Sequence, residues 1–306
     1  MDLRQLHALV AVADHGTFSA AADALATVQS NVSAHIARLE RELGATLVDR
    51  SRGRLTEEGL AVVERARRIE AELAALAADV ASLKSEVTGR TRAGIIGTAA
   101  RWLVPPLLDV MEERHPRVEL EIVDATSASL EPQLLSGRLD IAVVNLPLPS
   151  ADLTTRPLFD EDLVLWVPAD HPLAAKDETD MKEVAGFHLL LSPRGTAFRQ
   201  LLDEAAAAEG VTLRTRAEVD GIRLAGSLVS GGHTPAILPA TAIPPAFQHL
   251  THRLVIRGLP RRRVGVATRR RGLPSAPARA VLGVLDEVVA AEAKPEIGRA
   301  SCRERV

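Results

Sequence analysis

The sequence predicts a multidomain α+β chain: a small helical headpiece, a long heptad-patterned helix, and a larger region of alternating strands and helices. Three observations carry that expectation. Residues 1–58 hold three short helical stripes followed by two strand-like pieces. From Val62 to Val87, apolar residues recur at alternating spacings of four and three. Beyond Thr88, strand and helix patterns take turns almost to the C-terminus. The 306 residues suit roughly two domains as a prior. Hydrophobic residues make up 46% and aromatic residues only 2%, so the core has to be built from Leu, Val, Ile and Ala.

In the headpiece, Leu3, Leu6, Leu9, Val10 and Ala13 form a helical stripe that stops before His15-Gly16. Ser19 is expected to cap a short helix, Ala20 to Leu25, whose alanines let a neighbouring helix come close. Thr27 is expected to cap the next helix, with apolar stripe Val28, Val32, Ile36, Leu39 and Leu43 and a stop at Gly44. Two helices joined by a brief turn are the helix-turn-helix pattern. The face opposite the second stripe is small and polar: Ser30, Asn31, Ser33 and Ala34, with Gln29 in the first turn and Arg38 further along. Such side chains let a backbone approach DNA. Gln and Asn present a donor and an acceptor to adenine, Ser bonds either kind of edge, and a methyl meets that of thymine. The hairpin at Ser51-Arg52-Gly53 reads as a wing, and Arg50, Arg52 and Arg54 beside it suit phosphates. Residues 1–60 nevertheless hold six arginines against eight acids, a net charge of −2, without the basic excess usual for DNA binding. On these residues alone, a solvated polar face explains the helix about as well.

The helix expected from Thr56 to about Val87 carries Val62, Ala66, Ile69, Leu73, Leu76, Val80, Leu83 and Val87 as a heptad seam. A two-stranded coiled coil explains it better than packing onto its own domain, because the period stays at 3.5. After the linker around Thr88, strands are expected at 91–97, 118–124, 140–145, 162–168, 188–192, 213–219, 236–238, 253–256 and 264–269. Helices fit 103–114, 130–135, 197–208, 222–230 and 278–291. This alternation predicts open α/β sheets with parallel strands, whose ligands sit beyond the strands' carboxyl ends.

No apolar run is long enough to span a membrane, and the N-terminus lacks the pattern of an export signal, so the cytoplasm is the expected location. One cysteine, Cys302, excludes an internal disulfide framework. Residues 296–306 have no periodicity and read as a non-native tail. His249 and His252 form a close pair without further ligands at metal spacing, and Arg261–Arg263 and Arg269–Arg271 flank a strand and read as solvated. No phosphate loop, nucleophile elbow or other catalytic constellation stands out, and no metal or cofactor is expected.

The stretch RQLHALVAVADHGTFSAAADALATVQSNVSAHIARLERELGATLVDRSRGRLTEEG resembles the N-terminal domain of LysR-type transcriptional regulators. The similarity continues through the long helix, GTAARWLVPPLLDVMEERHP, SGRLDIAVV and LVSGGHTPAILP. It implies a winged helix-turn-helix over 1–58, a dimerising coiled-coil linker helix over 59–88, and a periplasmic-binding-protein-like effector domain over 89–295. That domain would have two α/β subdomains, one from 89–161 and 265–295, the other from 162–264. The implied partners are double-stranded DNA, a small-molecule effector and further copies of the chain as dimer or tetramer, with RNA polymerase beyond these and no membrane. Carried over, Gln29, Ser30, Asn31, Ser33, Ala34 and Arg38 occupy recognition-helix positions, and Arg50 and Arg52 the wing. Ser30 stands where many members have Pro, and Ala34 where many have a long basic residue, so operator sequence does not transfer.

The implied effector cleft is lined by Thr98, Ala99 and Ala100 in the loop after the first strand. Thr126, Ser127 and Asn145 follow, then Ser192 to Thr196, and Gly232, His233 and Thr234, which stand where many members have Gly-x-Gly. Hydroxyls and backbone N–H groups at helix starts suit an organic anion. Arg101 reads as its counter-charge or as an ordinary solvated residue, and His233 as a ligand contact or a surface loop residue. A solute-binding module, an α/β enzyme with a regulatory headpiece, and a chromosome-organising protein without effector control are the rival readings.

Overall fold

The computed structural model describes residues 1–83 and 87–292. The tail at 296–306 and Cys302 lie outside them. The chain forms two compact units, Met1–Ala77 with Ser136–Arg138, and Ala78–Leu135 with the residues from Leu139 onward.

The first unit is a helical headpiece with a small hairpin. Helix α1 (Leu3–His15) starts in a capping box, Asp2 accepting from the Gln5 N–H while the Gln5 side chain accepts from the Asp2 N–H, and stops at Gly16 in the left-handed region. Helix α2 (Phe18–Ala24) begins two residues before the expected start, because Thr17 rather than Ser19 caps it and accepts from the Ala20 N–H. Helix α3 (Gln29–Leu43) is preceded by Val28, which supplies no side-chain cap. The Thr27 hydroxyl, expected as that cap, instead accepts from Asn31 Nδ2 at 3.1 Å. Leu6, Leu9, Val12, Ala21, Val32, Ile36 and Leu39 pack together as the core, so the stripe of α3 is buried at its centre while Val28 and Leu43 stay exposed.

Strands β1 (Val48–Asp49) and β2 (Arg54–Leu55) pair antiparallel into the hairpin. Asp49 shapes its turn by accepting from the Ser51 N–H, the Ser51 hydroxyl and the Arg52 N–H. Helix α4 (Glu57–Ser82) follows, its first turn capped by the Thr56 hydroxyl accepting from the Gly59 N–H. It ends before the expected Val87, so Leu83 and Val87 fall past the helix. Of the expected seam, Ala66 is buried in the headpiece core, whereas Leu73, Leu76 and Val80 are exposed.

The second unit contains two sheets. The first has strand order β4-β3-β5-β13-β6, from β3 (Gly89–Ile95), β4 (Val118–Asp124), β5 (Ile141–Leu146), β6 (Leu153–Glu161) and β13 (Arg262–Arg269). It packs with α5 (Gly97–Arg114), α6 (Ser127–Leu135) and α10 (Ala276–Glu292) around a Leu, Ile and Val core. The second has order β10-β9-β11-β7-β12-β8, from β7 (Leu163–Pro168), β8 (Glu178–Thr179), β9 (His188–Leu191), β10 (Arg214–Glu218), β11 (Ala236–Pro239) and β12 (Thr251–Ile256). Helices α7 (Met181–Val184), α8 (Ala197–Ala208) and α9 (Ile222–Ser230) belong with it.

Both sheets are mixed, not parallel as expected. Strands β3, β4 and β5 run parallel, but β13 is antiparallel to β5 and β6, and β7 is antiparallel to β11 and β12. The cause is the chain's route. It leaves the first sheet through β6, crosses with Asp162 alone between strands, and comes back through β13. The return begins at Arg262, so Arg262 and Arg263 belong to the first sheet. Strand β6 itself carries no strand signal in the sequence, since it is an edge strand with Pro157 inside and charged residues along it.

Candidate DNA-binding face and effector cavity

The residues singled out on α3 share its outer surface. Gln29, Ser30, Asn31, Ala34 and Arg38 are exposed and Ser33 half-buried, while Val32, Ile36 and Leu39 point into the core. This follows from the helical period, which sets the two groups on opposite faces. Arg50 and Arg52 stand exposed on the hairpin. Arg50 lies 5.8 Å from the centre of the Phe18 ring and 3.8 Å from Glu40, and Arg52 lies 3.6 Å from Asp49.

The acids of the headpiece are mostly engaged in caps, turns and ion pairs, Glu40 and Asp49 with Arg50 and Arg52 as well. Asp2 caps α1, and Glu40 accepts from the Leu47 and Val48 N–H groups, tying the hairpin to α3. Asp49 is held below the ordinary carboxylate range by the Ser51 hydroxyl and the turn amides. Glu42 pairs with the N-terminal amine, Asp14 with Arg67, and Glu57 and Glu58 sit in the first turn of α4. The negative total is thus bound up in caps, turns and pairs, and the outer face of α3 keeps Arg38 as its one charged member among the positions named above.

The second unit holds a cavity of about 310 Å³ between its two sheets' helices. Thr98, Thr126, Ser127, Asn145, Ser192 and Thr196 line it, as expected from the sequence. Ala99, Ala100, Arg101, His233 and Thr234 do not. Thr98, Ala99 and Ala100, read as a loop, lie in the first turn of α5, so Ala99 turns inward and is fully buried. Arg101 is half-buried outside the lining, and its Nη1 donates to the carbonyls of Thr241 and Ala242 at 2.9 and 3.0 Å. Burial and the nearby Arg223 charge lower its pKa. His233 and Thr234 follow the C-terminal end of α9, whereas the cavity meets the N-terminal end, a helix length of about 13 Å away.

Sequence reasoning missed the charged lining. Arg262, read as solvated, has its side chain 2% exposed and packs against Glu161, whose side chain is 0% exposed. Its Nε and Nη2 donate to Glu161 Oε2 at 2.9 and 2.5 Å, Nη2 also to Thr98 Oγ1 at 2.6 Å, and Nη1 to Asn145 Oδ1 at 3.3 Å. The Thr241 N–H and hydroxyl donate to the other oxygen of Glu161. Nearer solvent, Arg223 Nη2 meets Asp124 Oδ2 at 2.7 Å, so α9 of one subdomain is linked to the end of β4 of the other. Gly97 makes room for that pair, since a Cβ there would stand 2.9 Å from Asp124 Oδ1. Glu131 and Asp220 complete the charged lining. The signal for Arg262 was present in the period of two: Val264 and Val266 point inward, and extending β13 back by two residues puts Arg262 on the same face.

Residues 3–60 match the bacterial regulatory helix-turn-helix protein, lysR family, and residues 84–290 match the LysR substrate binding domain. The chain belongs to the LysR family. It is 30% identical over 296 residues to the DNA-binding transcriptional dual regulator OxyR of Escherichia coli K12, covering 95% of each chain. A Streptomyces viridosporus protein named "Probable hydrogen peroxide-inducible genes activator" is 35% identical over 246 residues, 79% of this chain and 78% of its own. Among solved structures, a full-length OxyR variant from Pseudomonas aeruginosa superposes with a TM-score of 0.75 at 26% identity, covering 100% and 99% of the two chains. The LysR-family regulator CbnR in complex with its target DNA gives 0.68 at 25% identity, covering 95% and 99%. This LysR-type chain is therefore a DNA-binding transcriptional regulator rather than an enzyme, with a winged helix-turn-helix and a two-subdomain α/β effector domain. No helix among its described residues is long and apolar enough to cross a membrane.

Proposed function

We propose that this regulator reads a symmetric DNA site with α3 in the major groove and the β1–β2 hairpin on the flanking phosphates. Gln29, Ser30, Asn31, Ser33 and Ala34 face base edges, Arg38 reaches guanine or phosphate, and Arg50 and Arg52 hold the backbone. The observation that carries this reading is the split of α3 into a buried aliphatic stripe and an exposed face of small polar groups. The exposed seam of α4 pairs two chains, giving paired headpieces and a dyad site with half-sites in successive major grooves. A small-molecule effector occupies the 310 Å³ cavity and alters DNA binding by favouring one of two arrangements over the other.

Several relatives are named for hydrogen peroxide. Peroxide marks proteins reversibly through thiolates, and the one cysteine of this chain, Cys302, lies outside the described residues. The proposed input is a molecule bound in the cavity.

The test is selection of bound sequences from a random double-stranded DNA pool with the full chain, followed by variants. An inverted repeat is the expected product, and featureless enrichment would overturn the groove assignment. Arg50→Ala or Arg52→Ala should weaken binding to all sequences alike and reduce the salt slope by about 1. Gln29→Ala or Asn31→Ala should cost roughly 1–3 kcal/mol at individual base positions while leaving that slope in place.

A further inference from the structure

Resting on the reading of the cavity as the effector site, the charges around it narrow the class of molecule that fits. Both lining arginines already have carboxylate partners, Arg262 in Glu161 and Arg223 in Asp124. Glu131 on α6 and Asp220 just before α9 line the cavity from opposite subdomains, and among the described residues neither has an ion-pair partner. Asp124, Glu131, Asp220, Arg223 and Arg262 in the lining, with Glu161 behind Arg262, sum to a formal charge of about −2, while Arg101, outside the lining beside Arg223 and Asp124, turns its guanidinium to the Thr241 and Ala242 carbonyls. A simple anion in the cavity would meet two carboxylates that have no ion-pair partner among the described residues.

A second group of observations has the opposite sign. Helices α5, α6, α8 and α9 all begin at the cavity, with Gly97, Ser127, Ala197 and Ile222 in its lining. Each helix start carries about half a positive charge, so four of them offset the two carboxylates but stand in different places. At the floor, the deeply buried Arg262 keeps capacity to donate. Its Nη1 carries two hydrogens and meets one acceptor, Asn145 Oδ1, at the long distance of 3.3 Å. The cavity is neutral in sum and polarised in layout.

We infer that the effector is a small zwitterion of the amino-acid class. Its carboxylate lies at the floor, on the spare N–H of Arg262 and the start of α5, and its ammonium group faces Glu131 and Asp220. One molecule then satisfies both kinds of unspent group, which a plain organic anion does not. Because Glu131 and Asp220 belong to different subdomains, the ammonium group draws the two together.

The experiment is thermal melting of the full chain with four five-carbon probes at millimolar concentration: norvaline, pentanoate, pentylamine and pentanol. Norvaline should raise the melting temperature most. Glu131→Gln and Asp220→Asn, both at accessible positions, should fold normally and each lower norvaline affinity by about threefold to tenfold. No shift with norvaline, an equal shift with pentanoate, or indifference to both variants overturns the zwitterion. Ala128→Trp places a bulky ring at the exposed lining of the same cavity and separates the two readings. If another probe gives the shift and Ala128→Trp abolishes it, the cavity stands and the zwitterion falls. A norvaline shift that survives Ala128→Trp overturns the cavity as the site.

Discussion

Arg262 and Glu161 show how much depends on two side chains that a reader of the sequence would set aside. A guanidinium and a carboxylate removed from water are stable only while each has the other and the surrounding hydroxyls and amides are placed to help. Arg262→Ala should therefore cost about 3–5 kcal/mol in urea unfolding, since it strands a fully buried carboxylate. The double change Glu161→Leu with Arg262→Met should recover most of that loss, because it removes both charges and keeps the volume. A double variant as unstable as the single one would show that Thr98, Thr241 and Asn145, not the charge pair, dominate the cost. The pair was hard to read in advance for a physical reason. Its arginine sits in a run of three, and strand alternation sends Arg261 and Arg263 outward to Asp162 and Asp160 while turning Arg262 in. Its glutamate ends an edge strand that has no hydrophobic pattern of its own.

At the scale of elements, regular apolar spacing was legible and the ends were less so. The strand at 118–124 and the helices at 197–208 and 222–230 lie at the positions that their periodicities indicate. The start of α5 was not legible, because Gly-Thr-Ala-Ala has the composition of a loop, and that error displaced Ala99, Ala100 and Arg101 from helix to cleft wall. The six polar residues of the cavity came from the family resemblance, which places them at or near strand ends, where α/β sheets hold their ligands. The cavity's charged residues were not legible, since they come from scattered places: the end of β4 (Asp124), the middle of α6 (Glu131), the start of α9 (Asp220, Arg223) and the return strand (Arg262). One junction between elements has a measurable tolerance. Gly59, in the first turn of α4, approaches the hairpin so closely that a Cβ would lie 2.0 Å from the Leu47 carbonyl oxygen. Gly59→Ala should destabilise the headpiece by about 2–4 kcal/mol, read from the midpoint of chemical denaturation. A loss below about 0.5 kcal/mol would mean that helix and hairpin can part without cost.

For the whole molecule, the seam of α4 sets the expected assembly. Leu76 and Val80 are 62% and 49% exposed in a single chain, a costly placement for aliphatic residues in heptad register unless a second helix covers them. Leu76→Asp should shift sedimentation from dimer to a smaller species at micromolar concentration and weaken binding to a full inverted repeat more than to a half-site. An unchanged sedimentation profile would place the contact between copies elsewhere.

The crossing between the two sheets has a consequence for any such assembly. The chain passes through Asp162 going out and through the stretch before Arg262 coming back, and β6 and β13, which carry these crossings, lie side by side. A body attached at a single point can swing in any direction. One attached at two neighbouring points turns about the line that joins them, as a door does on its pair of pins. A ligand that favours one arrangement of the two sheets is therefore expected to act about that line, once the Arg223–Asp124 pair and the Arg101 bonds to Thr241 and Ala242 across the cleft adjust.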